Sequence, residues 1–442
     1  MALVLASATF SISITSVVPA LPAISAELGV SVAAGTWAFT GYLLASAALT
    51  PSIGHLGDVL GHRSVLLWVL VMFAGGAVIS GVSGSLLVLI VGRALQGTGG
   101  AIIPLCFGIV RTSFANHSRV RAVALVSATN GLGTGLGLLA GGIVVSFTGF
   151  RGVFVLSGIL AVSSWAAIVS QVRSNLRPPM ASKLDVAGAS LLTVGLVSLL
   201  AGVSQFEPSR NGASLLAALT CAAAVALWTL YRRSRHVERS IVDLRQNLRR
   251  PVSAVHAITF LSASGGFSVF LLTPVLAQRP SSADGLGLSE LATGAMLFPG
   301  CLLMMAAGGL YPRMAAIIGA RGCLTSSSSA IAAGLITCMA APSLLALQMV
   351  GIYLVLGGIG LHLSAAAAFL VNHVPPSLVS EANAVNALAR NVGNAVGAQA
   401  CTISLALVIP AATSAAGDLY MLYLAPCVLA VLGVVACLRL LR

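Results

Sequence analysis

The sequence predicts an all-α membrane protein of fourteen transmembrane helices in a six, two, six arrangement, the outer sets forming two pseudo-symmetric six-helix bundles. Three observations carry that reading. Of 442 residues, 58% are apolar and only 7% are Asp, Glu, Lys or Arg, against roughly a quarter charged in an ordinary soluble domain. Apolar runs near the ~20 residues that one helical crossing of a bilayer needs recur from end to end. The polar punctuation between them is short, which leaves no loop long enough for a separate catalytic or binding domain and excludes a soluble enzyme. Third, the basic residues gather on alternate connections.

In order, the runs place spans at residues 1–24, 33–54, 64–83, 85–109, 121–147 and 152–172, a first bundle over 1–172. The opening run lacks the basic n-region of a signal peptide, so Met1 to Ile24 is expected as a retained first span with no cytosolic tail before it. Two linker spans follow at 185–205 and 213–231, then a basic connector from Arg232 to Arg250, so that 173–250 forms an inserted segment. The second bundle, 251–442, holds spans at 252–277, 289–310, 322–341, 343–371, 381–410 and 419–440.

The basic residues are 22 Arg and Lys183. Eighteen of them lie on the even-numbered connections and the C-terminus, among them Arg63, Arg111, Arg173 and the seven arginines from Arg232 to Arg250. Only Arg151, Arg210 and Arg279 lie on the other side, while Arg93 and Arg390 fall inside spans. The positive-inside rule then puts both termini in the cytoplasm. The net charge of +13 is therefore mostly topological, with attraction to anionic lipid headgroups second and no nucleic-acid partner expected. The eight cysteines are scattered singly, with no CxxC pair and no neighbouring His at ligand spacing, so no metal or cofactor is expected.

Three segments carry more than topology. In Gly54-His-Leu-Gly-Asp58-Val-Leu-Gly61-His-Arg63, glycines allow a tight loop and Asp58 can pair with Arg63 to latch one face of the bundle. A looser echo in the second half has Gly308, Leu310, Arg313, Gly319 and Arg321. In Leu89-Ile-Val-Gly-Arg93-Ala-Leu-Gln96-Gly97, Arg93 lies roughly 12 Å inside the span at 1.5 Å per residue. A guanidinium at that depth needs a cavity, a partner or backbone carbonyls. In span five, Gly133, Gly137 and Gly141, with Gly142 beside the last, recur on one helix face, where small residues permit close helix approach.

These segments resemble the signatures of the major facilitator superfamily. GHLGDVLGHR is similar to its GxLxDRxGRR signature, differing at Val59 and His62, and the Arg93, Gln96, Gly97 stretch resembles its span-four motif. Gly133 to Gly142 resembles the antiporter motif GxxxGPxxGG of drug exporters, with Leu138 in the proline position. Asp185-Val-Ala-Gly188, Ile241-Val-Asp243-Leu244-Arg245 and Asn386 to Gly397 are similar to the inserted helices, following loop and span thirteen of the fourteen-span drug:proton antiporters. The resemblance covers essentially the whole chain. It implies an alternating-access exporter of drugs or amphipathic small molecules in a bacterial inner membrane, monomeric, surrounded by lipid and coupled to protons.

All ten carboxylates fall in loops or at span ends, and Ser13 occupies the position where the family's first span carries an Asp. Candidates for proton coupling or gating are therefore Asp58, Arg63, Arg93, Gln96, His362 and Arg390, with His256 and His362 as imidazoles inside spans. Substrate-cavity candidates are Ser13, Trp37, Tyr42, Asn130, Asn386 and Gln399. With Arg93 and Arg390 the permanent charges at depth, the expected substrate is neutral or anionic. Two alternatives stay open: a facilitator or exporter of lipid or secondary metabolite without proton coupling, and a membrane sensor without transport. No nucleophile and base pair, metal cluster or phosphate loop points to an enzyme.

Overall fold

The computed structural model describes residues 1–113, 116–172, 187–188, 190–191, 194–195, 197–198, 210–234, 247–280, 285–374, 379–408 and 419–440. The side chains of Asp58, Asn130 and Glu381 are among a few more that lie outside the description. Among the described residues there is no strand. The chain divides into two compact units, one built on Met1–Val30 with Trp37–Arg233, the other on Val242–Arg442 with Ser31–Thr36.

The first unit runs through α1 (Ala2–Thr15), α2 (Leu21–Glu27), α4 (Trp37–Leu60), α5 (His62–Gly81), α6 (Leu86–Gln96), a 3₁₀ turn (Gly97–Ala101), α7 (Ile102–Ser113), α8 (Asn116–Gln171) and α9 (Arg210–Ser234). The short α3 (Val32–Gly35) is grouped with the second unit, which continues with α10 (Val252–Gly266), α11 (Val269–Gln278), α12 (Glu290–Ala340), α13 (Leu345–His373), α14 (Val379–Val408) and α15 (Met421–Leu440). Among the described residues, seven helices are long and apolar enough to cross a membrane: His62–Gly81, Leu86–Val110, Leu132–Gln171, Val252–Gln278, Glu290–Ala340, Leu345–His373 and Met421–Leu440. Trp68, Phe147 and Ile317 stand exposed on such helices, as expected where lipid rather than water is the neighbour.

Two of the expected loops are corrected. Gly54 to Leu60 is not a loop but the last turns of α4, and the chain turns at Gly61 alone, which takes φ 93°. Likewise α12 passes through Gly308 and Arg313 and breaks only at Gly319, φ 71°. One residue with positive φ redirects the chain, and glycine is the residue that takes it without a steric penalty. A third such break, Gly149 with φ 67°, divides α8. The expected continuous first span is also interrupted, α1 ending at Thr15 before a turn and α2. Span four tightens to 3₁₀ at Gly97–Ala101. There Gly97 lies so close to α4 that a Cβ would meet Ala45 Cβ at 2.5 Å and the Ser46 nitrogen at 2.9 Å. Of the inserted pair, α9 is formed; most of 185–205 lies outside the described residues, and those of it that are described, Ala187, Gly188, Ser190, Leu191, Val194, Gly195, Val197 and Ser198, are helical.

Both units use one packing scheme. A Cβ at Gly76 would meet the Gly92 carbonyl oxygen at 2.6 Å, and one at Gly334 the Gly351 oxygen at 2.5 Å. Gly61 precedes Gly76 by the interval that separates Gly319 from Gly334. In the first unit α8 lies against α1, with Gly133 on Ser11, Gly137 on Ile12 and Thr15, and Gly141 on the Ser16 backbone. In the second, Gly393 and Gly397 of α14 lie on the Phe260 and Ser264 carbonyls of α10. The weak sequence echo thus corresponds to like glycine contacts within each unit, where helices approach one another closely. Each unit closes on its own apolar core, centred on Leu66, Leu70, Ile102 and Leu105 in one and on Val255, Ile258, Leu324 and Phe369 in the other.

Candidate functional site

In the first unit the site is built around Arg93. The spacing of α6 puts Arg93 and Gln96 three residues apart on one face. α4 brings Ala38 and Tyr42 to that face. Arg93 is 0% exposed. Its Nε donates to the Ala38 carbonyl at 2.7 Å and its Nη1 to Gln96 Oε1 at 2.8 Å. The guanidinium carbon sits 4.4 Å from the centroid of the Tyr42 ring and 5.9 Å from that of Phe154. Such cation–π contacts contribute about 2 kcal/mol or more when desolvated.

The pocket is not saturated. Arg93 Nη2, Gln96 Nε2 and the Tyr42 hydroxyl are buried without a hydrogen-bond partner, as are the hydroxyls of Ser13, Thr40 and Ser80 elsewhere in the same unit. Three of these unpaired groups belong to the contacting trio of Arg93, Gln96 and Tyr42, and each can donate. An oxygen-bearing group is what such a trio can hold.

Arg63, at the start of α5, donates from Nε to the Val172 carbonyl at 2.7 Å and from Nη2 to the Val169 carbonyl at 3.3 Å. It caps the C-terminal end of α8, where a cation is favoured by the helix dipole. The expected pairing of Arg63 with Asp58 falls on a side chain outside the description. Next to it His62 is buried, with Gly108 of α7 so close that a Cβ there would overlap the ring. Sequence reasoning treated His62 only as a departure from a motif. Arg151 pairs with Glu27, donates to the Ser83 carbonyl at 3.3 Å and is the guanidinium of the one ion pair among the described residues.

The second unit holds a separate polar cluster. His362 on α13 is buried, its Nε2 3.1 Å from Thr259 Oγ1 on α10 and its Nδ1 3.2 Å from Ser327 Oγ on α12. Arg390 stands on α14. One turn away, Asn386 Oδ1 lies 3.3 Å from His256 Nδ1, whose Nε2 is 3.1 Å from Asn247 Oδ1. Thr259, Ser327 and Asn247 were not singled out by sequence; Thr259 was legible as the residue one turn from His256, the others only through the fold.

Of the remaining candidates, Ser13 is buried without a hydroxyl partner, Gln399 is buried with Oε1 unpartnered, and Trp37 is half-buried. Asn130 lies outside the described side chains. Of the motif glycines, Gly97, Gly133, Gly137 and Gly141 are packing contacts, Gly61 is the chain turn, and Gly54 has open space where a Cβ would stand. Gly142 is buried, and its carbonyl accepts from Ser146 Oγ at 2.6 Å. Among the described residues no group of three or more His, Cys, Asp or Glu could hold a metal ion.

Two helical units with like glycine packing, apolar membrane-length helices and an arginine buried on α6 fit a multi-pass membrane protein of the facilitator type. The chain belongs to the Major Facilitator Superfamily, whose profile matches residues 3–398. It is 29% identical over 296 residues to a uridine/deoxyuridine transporter of Lactococcus lactis, covering 65% of this chain and 61% of that one. It is 36% identical over 203 residues to a cephamycin export protein of Amycolatopsis lactamdurans, covering 45% and 41%. To a tetracenomycin C resistance and export protein of Streptomyces glaucescens it is 26% identical over 389 residues, covering 87% and 71%. The chain thus spans little more than half the length of several curated relatives it matches. Among solved structures, the POT family transporter PepTSo superposes with a TM-score of 0.73 at 15% identity over 100% of this chain and 97% of that one. The human organic anion transporter MFSD10 gives 0.64 at 16%, covering 99% and 98%.

Proposed function

We propose that this protein is a secondary active transporter that exports drugs or amphipathic small molecules across a bacterial inner membrane by alternating access, in exchange for protons. In this reading fourteen spans divide into bundles over 1–172 and 251–442 and an inserted pair within 173–250, with both termini cytoplasmic and the monomer as the working unit. Relatives named as exporters of cephamycin and tetracenomycin C support the direction and the substrate class. The observation that carries the reading is Arg93, wholly buried with Nη2 unpartnered beside the free donors of Gln96 and Tyr42. A buried cation whose remaining donor is left open is costly to maintain, and it suits a neutral or anionic substrate that offers an oxygen acceptor.

A second reading, a facilitator without proton exchange, is favoured by Ser13. It stands buried and unpartnered where the family's first span carries an Asp, so the usual carboxylate is missing from that position.

The test is reconstitution of the protein in liposomes with an imposed pH gradient. Labelled ethidium, uridine and taurocholate serve as cationic, neutral and anionic probes, with proton movement followed inside the vesicles. Flux of uridine or taurocholate with proton counter-movement supports exchange. Flux without it supports the facilitator. Tight movement of ethidium that Arg93→Ala leaves unaltered overturns the assignment of substrate charge.

A further inference from the structure

We propose that His362, held between Thr259 and Ser327, is the group that takes up and releases the coupling proton, with His256 as its relay. This rests on the transport reading above.

The hydrogen bonds define the site. Ser327 Oγ donates to the Leu324 carbonyl at 2.8 Å, so toward His362 Nδ1, 3.2 Å away, it is left to accept. Neutral His362 therefore carries its proton on Nδ1, and Nε2 accepts from the Thr259 hydroxyl at 3.1 Å. A threonine hydroxyl can also accept. When a second proton arrives on Nε2, rotation of the Thr259 hydroxyl converts its donor bond into an acceptor bond. The ring thus keeps two partners in both charge states, whereas a histidine fixed between an obligate donor and an obligate acceptor is satisfied in only one.

His256 has the complementary arrangement. Its two ring nitrogens face Asn386 Oδ1 at 3.3 Å and Asn247 Oδ1 at 3.1 Å. A neutral imidazole offers one donor and one acceptor, so either the ring carries both protons or one asparagine amide turns its N–H toward it. Those two states differ by a single proton. His256 and Thr259 share a face of α10, and Asn386 and Arg390 a face of α14. His256 is four residues from the start of α10, Thr259 seven, so the line runs inward from one end of the unit, over about 5 Å along that helix.

Among the titratable and charged groups on the elements packed around His362 are His256 on α10, Arg390 on α14, Arg321 and Cys323 within two turns of Ser327 on α12, and Cys437 on α15, whose Sγ lies 3.6 Å from Ser328 Oγ. The Glu381 side chain lies outside the described residues. Imidazole is the side chain among these whose unperturbed titration falls between pH 5 and 8.

The experiment uses the reconstituted full-length protein with the uridine, taurocholate and ethidium probes. Flux driven by a pH gradient is compared with counterflow at equal pH, each measured from pH 5 to 8. For His362→Gln the expected result is a loss of gradient-driven flux at least about tenfold greater than any loss of counterflow, with a flattened pH profile. His256→Gln is expected to slow proton entry without moving the midpoint of that profile. Should His362→Gln fail to fold, Thr259→Val carries the test, because loss of a switchable partner shifts the midpoint, and Thr259→Ser restores it. An unmoved midpoint in Thr259→Val, or an unaltered ratio of driven flux to counterflow in His362→Gln, overturns the proposal while leaving transport standing. Wild-type flux indifferent to the pH gradient also overturns it and leaves the facilitator reading. Absence of any wild-type flux removes the transport reading and this proposal together.

Discussion

The guanidinium carbon of Arg93 lies over the Tyr42 ring, 4.4 Å from its centroid, while the phenol hydroxyl has no hydrogen-bond partner. The ring face, not the hydroxyl, is therefore the structural contact. Tyr42→Phe is expected to keep thermal stability within about 0.5 kcal/mol of wild type. Tyr42→Ala removes the stack and opens a void, and should cost about 3–5 kcal/mol in unfolding measurements. A large loss of stability in Tyr42→Phe would contradict this.

Arg93→Lys is the second prediction. Lysine keeps the charge but not the planar fork that reaches Ala38 and Gln96 together. Probe flux in liposomes should fall at least about tenfold, nearly as far as in Arg93→Ala. Near-normal flux in the lysine variant would show that charge alone suffices.

Gly137 and Gly54 sit in helices but in opposite surroundings. A Cβ on Gly137 would meet Thr15 Oγ1 at 2.1 Å and the Ile12 carbonyl oxygen at 2.6 Å, whereas one on Gly54 meets nothing within 4 Å. Gly137→Ala must push α8 off α1 and is expected to cost about 1–3 kcal/mol. Gly54→Ala should stabilise by up to about 1 kcal/mol, because alanine is the better helix former. Thermal unfolding in detergent separates the two, and equal shifts would show that the packing at α1 is not limiting.

Gly61 and Gly319 turn the chain with φ 93° and 71° and ψ 126° and 169°. That region of backbone space is almost closed to residues with a Cβ, so alanine at either position should cost about 1–3 kcal/mol. Equal losses at both positions are expected because both do the same work in their units.

The pair of Arg151 and Glu27 is predicted to matter little. The side chains are 45% and 41% exposed, and exposed pairs contribute at most about 1 kcal/mol. Glu27→Gln should leave the unfolding temperature in detergent nearly unchanged at any salt concentration. A large, salt-sensitive fall would mean the pair is shielded from solvent.

Much of this was legible before any coordinates. The apolar runs, the arginine within span four, the glycines at every fourth residue of span five and the echo of Gly61 and Arg63 in Gly319 and Arg321 are local patterns, and each maps onto one helix or one turn. Reading Gly54 to Arg63 as a loop failed because three glycines within eight residues look like punctuation, yet only Gly61 leaves the helix. Nothing in the sequence distinguishes the glycine that turns from those that pack; the difference is the neighbour that each Cβ would meet.

Composition and periodicity by themselves determined that the chain is helical and rich in apolar helices long enough to cross a membrane, since those properties follow from how many apolar residues stand in line. Tertiary structure alone decided which polar groups meet. Thr259 and His362 are 103 residues apart, and Ala38 and Arg93 are 55. Such contacts depend on which helix faces approach one another, and a one-dimensional pattern records the face of each helix without recording its neighbour.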